Sequence, residues 1–447
     1  MSGDKRARLK EWLESGEITL HPLTFPQREL WEASPVPVGD IANHICCLIT
    51  VRGAITPEDV RAATQQVVDR HDVLRTSFLP GKDRPLQMIR RSGEANTRFR
   101  ELLEGHENPE AVEARAREVF HEPFDMVQGP LYRVEELHCA PDHHVLVFAI
   151  HHAIADGWTL GAFVQDLCAA YLDRVRKQFA PLPAVPLTYA SWGAAERVVW
   201  QQAELDRRAA FWKPRFAESP RIWGAVPPGA GESYGLQRCV SHIPGDLADS
   251  AREVARRTGT TLFSTLLAAF QVTISRWAGV NDIVVGSPVA NRNKQAVRET
   301  MGYFAGIVPL RGKVETGRTF GEHLGAVHQN SVDCFANAMP FVELMRALGD
   351  APAAGHHPIF EIRFALQNHP IPDVELPGLS ARLRMRSTGT ARFHLGCEVT
   401  EEDKGMEVAW LFRGGMFSQT EVEKLDQLYQ AILKQACRSP ETRIGQL

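Results

Sequence analysis

Residues 179–189 read FAPLPAVPLTY, with three prolines between positions 181 and 186. Proline fixes φ and donates no backbone hydrogen bond, so neither a helix nor a central strand runs through such a segment. The stretch is the best linker in the chain, and what lies on either side of it is alike in kind. At 447 residues the chain also exceeds what a single hydrophobic core usually serves. Two lobes of mixed strands and helices are therefore expected.

Upstream, CCLITVRG (46–53) has strand composition, and Thr56-Pro57-Glu58-Asp59 opens a helix with threonine as N-cap and proline at the first helical position. Val60, Ala63, Val67 and Val68 continue it at helical spacing to Arg70. A second helix is expected over 110–120. Residues 131–139 and 144–150 read as a hairpin around Ala-Pro-Asp-His, and 158–175 as an amphipathic helix. Downstream the pattern restarts: helix 188–214, strand 236–243, helices 246–257 and 261–278, strand 282–290. Strands follow near 303–313, 359–366, 381–387, 392–400 and 405–412, with helices near 320–335, 340–348 and 419–437. No internal repeat is visible, but each half mixes the elements in similar order. The expectation is an α/β architecture of two α+β sandwiches with any site in the crevice between them.

The formal net charge of −4 and the absence of a basic run argue against nucleic acid as a partner. The eight cysteines show no CxxC spacing and read as reduced core residues. MSGDKRARLKEWLESGEI, at the start, lacks the apolar run of a signal peptide, and no apolar stretch reaches 18 residues. A cytoplasmic protein with no membrane contact is expected, monomeric by default.

The chemistry concentrates in IHHAIADGWTLGAF (150–163), directly behind the apolar run Val145–Ile150. A strand-to-helix connection lets a rigid strand present side chains to a cleft. Imidazole is the side chain best suited to exchange a proton at neutral pH. Asp156 could orient that imidazole or anchor the loop to an arginine, and Gly157 is expected to supply a conformation that a Cβ would resist. A metal needs three or four converging ligands, and HxxxD supplies two, although His356-His357 is a second pair. GESYG (231–235) matches the serine-hydrolase elbow but sits between a loop and a strand pattern rather than between a strand and a helix. Neither a GxxxxGK[ST] nor a GxGxxG motif is present, so a nucleotide cofactor has no support. Without a credible nucleophile, the histidines fit direct transfer, in which an amine or hydroxyl attacks an activated acyl group.

Several stretches together resemble the condensation domains of nonribosomal peptide synthetases, in the chloramphenicol-acetyltransferase-like superfamily. They are LTFPQRELWEAS (23–34), RHDVLRTSF (70–78), HHAIADGW (151–158), VVGSPVANR (284–292), MGYFAGIVPLR (301–311), MPFVELMRAL (339–348) and HPIFEIRFALQN (357–368). Seven such motifs in order, from 23 to 368, make the resemblance specific, and it runs from about 20 to 440. It implies two lobes in a V with the active site in a tunnel between them. It implies that donor and acceptor arrive as phosphopantetheine thioesters on carrier proteins, with no tightly bound cofactor. In such domains the second motif histidine, here His152, works as base or positioner of the nucleophile. His151 is expected to pack against the strand. Asp156 is expected to pair with an arginine, Arg292 first and Arg75 in reserve, while the backbone at Gly157 faces the substrate carbonyl. Trp158, Ser287, Tyr303, Phe304 and Gly306 are the expected tunnel and substrate positions.

Two departures bear on substrate. The fifth motif usually carries Phe-Val-Asn-Thr and here reads Phe304-Ala305-Gly306-Ile307, which should enlarge the tunnel wall and remove an amide from it. The usual Phe-Asp-Leu appears as Phe393-His394-Leu395. No adenylation-type phosphate loop or carrier Gly-Gly-x-Ser is present, so a free-standing domain with its carrier in trans is expected, with a small soluble acceptor or a second carrier. The charged helix within residues 1–19 is a candidate docking element; residues 20–180 and 181–447 are the two expected lobes. Two other readings stay open: an acyl-coenzyme A-dependent acyltransferase of the same superfamily, and a non-catalytic domain that recruits a carrier or partner.

Overall fold

The computed structural model describes residues 3–34, 36–81, 84–102, 109–177, 180–218, 220–223, 235–349, 359–367, 373–376, 378–386 and 393–447. Two six-stranded sheets carry it, each with its own apolar core. In the first, the strand order is Val374–Leu376, Leu379–Arg386, His44–Arg52, His143–His151, Tyr132–Ala140, Thr97–Glu101, antiparallel except for the last pair. In the second it is Gly306–Lys313, Asp282–Val289, Ile362–Gln367, Leu395–Glu402, Gly405–Arg413, Leu236–Pro244, with Ile362–Gln367 parallel to both neighbours. A small antiparallel sheet of Ile18–Pro22, Leu86–Arg90 and Thr76–Leu79 sits beside the first lobe.

Local sequence explains most element boundaries. Thr56 caps the helix Pro57–Arg70 through the Asp59 amide, and Asp59 returns the bond, the reciprocal box that the sequence predicts. The hairpin turns at Pro141-Asp142 between strands Tyr132–Ala140 and His143–His151. His143–His151 is buried at all nine positions, which is why it reads as a continuous apolar run rather than an alternation. Seven of the eight cysteines are buried.

The expected helix 188–214 is two helices, Tyr189–Val199 and Gln202–Trp212. The break falls where Trp200 leaves helical geometry and its indole N–H turns back to the Glu196 carboxylate. The strands Ile18–Pro22, Thr76–Leu79, Leu86–Arg90, Thr97–Glu101 and Val374–Leu376 are too short, or too charged, to show in the sequence pattern. A single cut after residue 180 does not follow the sheets. Leu379–Arg386 pairs with His44–Arg52, and Tyr189, Trp192, Val297, Met301, Tyr303 and Phe304 belong to the first lobe's core. The His356-His357 pair and residues 231–234 of GESYG lie outside the described residues.

Candidate active site

His143–His151 is an interior strand of its sheet, and beyond its last residue the chain passes through the short turn His152–Ile154 into the helix Gly157–Val175. Asp156 caps that helix: its carboxylate accepts from the Thr159 amide at 3.0 Å, and the Thr159 side chain accepts from the Asp156 amide. The cap fixes the turn that carries the two histidines.

Their surroundings differ. His151 is fully buried. Its Nε2–H donates to the Val38 carbonyl at 2.8 Å and its Nδ1 accepts from the Ala153 amide at 3.0 Å, which sets one neutral tautomer. His151 is therefore a structural member of the loop. His152 is half-buried, its ring edge-on to Tyr303 with centroids 4.3 Å apart.

Asp156 is committed as well. Its two oxygens accept from Arg292 Nη2 at 3.1 and 3.3 Å, and Oδ2 also accepts from the Phe304 amide at 3.1 Å. Arg292 is buried and donates Nη1 to the carbonyls of Val297 and Thr300, both at 2.7 Å. Its guanidinium lies 4.0 Å from the Phe304 ring centre, and burial pulls its pKa below the ordinary arginine value. Arg292 is thus the partner of Asp156. Arg75 is not: it donates to the carbonyls of Val68, Asp69 and Arg90 and closes the end of the helix Pro57–Arg70.

The segment 301–304 crosses from the second lobe into the first, and its backbone is held almost atom by atom. The Met301 amide donates to His71 Nδ1 at 3.4 Å. The Gly302 amide donates to the Thr159 hydroxyl at 3.1 Å, which faces the Gly302 carbonyl at 3.0 Å. Tyr189 donates its hydroxyl to the Tyr303 carbonyl at 2.6 Å; burial pushes this phenol well above its usual range, so it stays a donor. Asn291 Nδ2 donates to the Phe304 carbonyl at 2.9 Å. Gly302, at φ +155, has no room for a side chain: a Cβ there would stand 2.3 Å from the Tyr189 ring. The backbone freedom expected of Gly157 is needed here instead. Gly157 itself opens a helix with ordinary geometry.

The other expected positions divide. Tyr303 and Phe304 are buried beside the histidine loop and Arg292. Trp158 donates its indole N–H to the Arg298 carbonyl at 2.9 Å, tying the start of its helix to the segment that carries Val297 and Met301 into the first lobe's core. Ser287 is buried within the strand Asp282–Val289. Gly306 lines a cavity of about 180 Å³. The wall there is not simply enlarged, because the Asn291 carboxamide stands 3.0 Å from where a Cβ of residue 306 would be. His394 is buried near Trp223, with ring centres 5.9 Å apart.

Sequence reasoning missed several supports. Gln27 is fully buried and donates to the Ala153 carbonyl at 3.0 Å, tying the first motif to the histidine turn. Its signal was its place in LTFPQREL. Thr159 was legible as the third helical position after Asp156. His71, held at 2.7 Å to Asp166, sits in the quoted RHDVLRTSF. Asn291 sits in the quoted VVGSPVANR, whereas Tyr189 left no local signal of its bond to the Tyr303 carbonyl. Among the described residues, no group of three or more His, Cys, Asp or Glu is arranged to hold a metal ion.

A family model described as "Condensation domain" matches residues 18–447. Tyrocidine synthase 2 of Brevibacillus parabrevis is 26% identical over 457 residues, covering 98% of this chain and 12% of that protein. Phosphinothricin tripeptide synthetase PhsC of Streptomyces viridochromogenes is 27% identical over 437 residues, covering 95% and 40%. The chain therefore spans less than half the length of these relatives. Among solved structures, the condensation domain of the Monacolin K polyketide synthase MokA superposes with TM-score 0.80 at 20% identity, covering 95% and 99% of the two chains. SgcC5 of Streptomyces globisporus, solved in complex with (R)-(-)-1-(2-naphthyl)-1,2-ethanediol and sucrose, gives 0.78 at 23% identity, covering 94% and 100%. The X-domain from teicoplanin biosynthesis gives 0.83 at 22% identity, covering 95% and 97%. The match runs through both sheets, the crossing segment and the histidine turn, and this chain belongs to the condensation-domain family.

Proposed function

We propose that the chain transfers the acyl group of a carrier-bound phosphopantetheine thioester to an amine or hydroxyl acceptor. The observation that carries this reading is the division of labour in the loop. His151 and Asp156 are committed to holding the turn and the crossing segment, and His152 is the half-exposed imidazole they present. In the reaction, the acceptor nitrogen or oxygen bonds to the thioester carbonyl carbon while His152 takes or orients its proton. The carbon–sulfur bond then breaks, and the pantetheine sulfur leaves as a thiol with that proton. The first-turn amides of the helix Gly157–Val175 carry the positive end of the helix dipole, which suits the oxygen as charge develops on it.

The carrier acts in trans on a monomeric, cytoplasmic enzyme in this reading, with the helix Gly3–Glu14 as a docking element. Among the described residues no helix is long and apolar enough to cross a membrane. A hydroxyl acceptor is slightly favoured. A neutral alcohol gains more from a base than an unprotonated amine does, and SgcC5, of the same fold, is solved with a diol. Such an acceptor would be small and soluble, with a non-aminoacyl group on one side of the bond.

The test is turnover with matched amino and hydroxyl acceptors, using either an acyl-carrier protein or the acyl-coenzyme A as donor. His152→Ala should lower kcat about 10²- to 10⁴-fold, the usual worth of a general base, while leaving the fold intact. Full turnover by that variant would remove His152 from the chemistry. Efficient use of the coenzyme A thioester alone would move the chain to the acyl-coenzyme A class. Tight carrier binding with no product from any donor would make it a recruitment domain.

A further inference from the structure

Asn291 is one of two non-glycine residues with positive φ among the described residues, at +51°. It forms the corner where the chain leaves the strand Asp282–Val289, one residue before Arg292 turns in to Asp156. Asparagine tolerates this left-handed geometry because its side chain is short and polar; a β-branched residue does not. From the corner, Asn291 Nδ2 reaches the Phe304 carbonyl at 2.9 Å. The Phe304 amide is held by Asp156, so the peptide groups on both sides of Phe304 are fixed, and the preceding residue is the tyrosine against which His152 rests.

The carboxamide lies against the bare position of residue 306. Gly306 pairs with Val289 across the two strands, and a Cβ on it would stand 3.0 Å from Asn291 Nδ2 and 3.5 Å from Val289 Cγ2. At that distance the neighbour has to give by a few tenths of an ångström, and the nearest neighbour is the donor of the bond to Phe304. Both residues line the cavity of about 180 Å³, whose walls include Trp192, Val297, Ile307 and Phe341. The carboxamide therefore closes that wall in place of a residue 306 side chain.

We infer that Asn291 and Gly306 act as an exchange pair. The bare position 306 exists to admit the Asn291 carboxamide, and that carboxamide is a positioning residue for the reaction, acting through Phe304 and Tyr303 on His152. The kinetic part of this inference rests on the function proposed above; the structural coupling of the two positions does not.

The experiment is a double-substitution cycle on the full chain, read both by thermal midpoint and by kcat and KM with one carrier-bound donor. Asn291→Gly keeps the corner and removes the carboxamide. It should lower kcat about 3- to 10-fold, the worth of one net hydrogen bond, with KM nearly unchanged. Asn291→Asp keeps shape and corner but cannot donate to a carbonyl, and should fall at least as far. Gly306→Ala should lower both the midpoint and kcat in the native background and do neither in the Asn291→Gly background. Gly306→Asn should be poorly tolerated alone and recover when combined with Asn291→Gly. Equal effects of Gly306→Ala in both backgrounds would overturn the pairing. An Asn291→Asp enzyme with native kcat would overturn the positioning role. If the native chain turned over no donor, the proposed function would fail, and the thermal cycle would still decide the pairing.

Discussion

Replacing Arg292 by methionine tests the interaction on which the site depends. Arg292 is 5% exposed and its guanidinium faces the carboxylate of Asp156, a residue itself 3% exposed. Methionine fits the aliphatic stem but leaves Asp156 with hydrogen bonds from Thr159 and the Phe304 amide alone, and takes the charged donor away from the Val297 and Thr300 carbonyls. Breaking a buried pair on one side typically costs about 3–5 kcal/mol, because the remaining charge stays buried without its partner. Asp156→Asn should cost a similar amount. Asparagine still caps the helix, but its amide hydrogens or its lone carbonyl oxygen must now meet both Arg292 and the Phe304 amide. The double variant removes both charges, so its cost should fall short of the sum by about 1–3 kcal/mol. Urea unfolding of the four proteins, compared at equal m-values, measures this coupling, and turnover should follow the same order. Single costs below about 1 kcal/mol that simply add would show that the pair does not hold the crossing segment, and the site would need another account.

His151→Ala should do the opposite of His152→Ala. It strands the buried Ala153 amide, while the Val38 carbonyl keeps the Asn43 carboxamide at 3.0 Å, so unfolding free energy should drop by about 1–3 kcal/mol, the usual penalty for one orphaned group. A stable His151→Ala protein with an activity defect alone would contradict that. Acid sensitivity should come from elsewhere: burial holds His44 and His323 neutral, with pKa values pulled down to about 4. The unfolded chain binds protons near pH 6.5 where these two do not, so the stability they contribute is complete above that pH and drains away toward pH 4. Each is worth up to about 3 kcal/mol. His323→Leu should flatten the slope of stability against pH in that window by up to about 1.4 kcal/mol per unit, measured by urea midpoints from pH 7 to 4.5; an unchanged slope would refute it.

What the sequence disclosed about the site follows the range of the forces involved. The histidine turn was legible because a nine-residue buried strand, an Asp cap and a helix start are contiguous, and each leaves a local signature. The Asp156–Arg292 pair spans 136 residues, and only the ordered motifs pointed to it. Arg75 is as basic as Arg292 and lies in a motif just as clear, but nothing local to it says that its charge is spent on helix-end carbonyls. Gly157 was credited with backbone freedom on its identity alone, whereas the strained glycine is Gly302, whose need arises from the Tyr189 ring 113 positions away in sequence. Asn291 lies in a quoted motif, but nothing local shows that its carboxamide reaches the Phe304 carbonyl beside Gly306.

The division of the chain at residue 180 carries the last prediction. On the sequence pattern it separates two lobes, and a fragment of residues 1–180 would be the natural way to isolate the histidine turn. In the structure this fragment is incomplete. Its sheet loses Leu379–Arg386, which pairs along His44–Arg52 and buries Leu379, Ala381 and Leu383. Its core loses Tyr189, Trp192, Met301, Tyr303 and Phe304, all at most 4% exposed. At about 1.5–3 kcal/mol for each large side chain, these losses amount to roughly 10–20 kcal/mol, comparable to the whole stability of a typical domain. The fragment would also present the unpaired edge of HICCLITVR, a mostly buried strand with only a terminal charge to discourage edge-to-edge pairing. Residues 1–180 expressed alone should therefore be insoluble or associate, and should show no cooperative unfolding. A soluble monomer with a sharp transition would mean that the first lobe folds without the returning segments, and that the crossings serve the site alone.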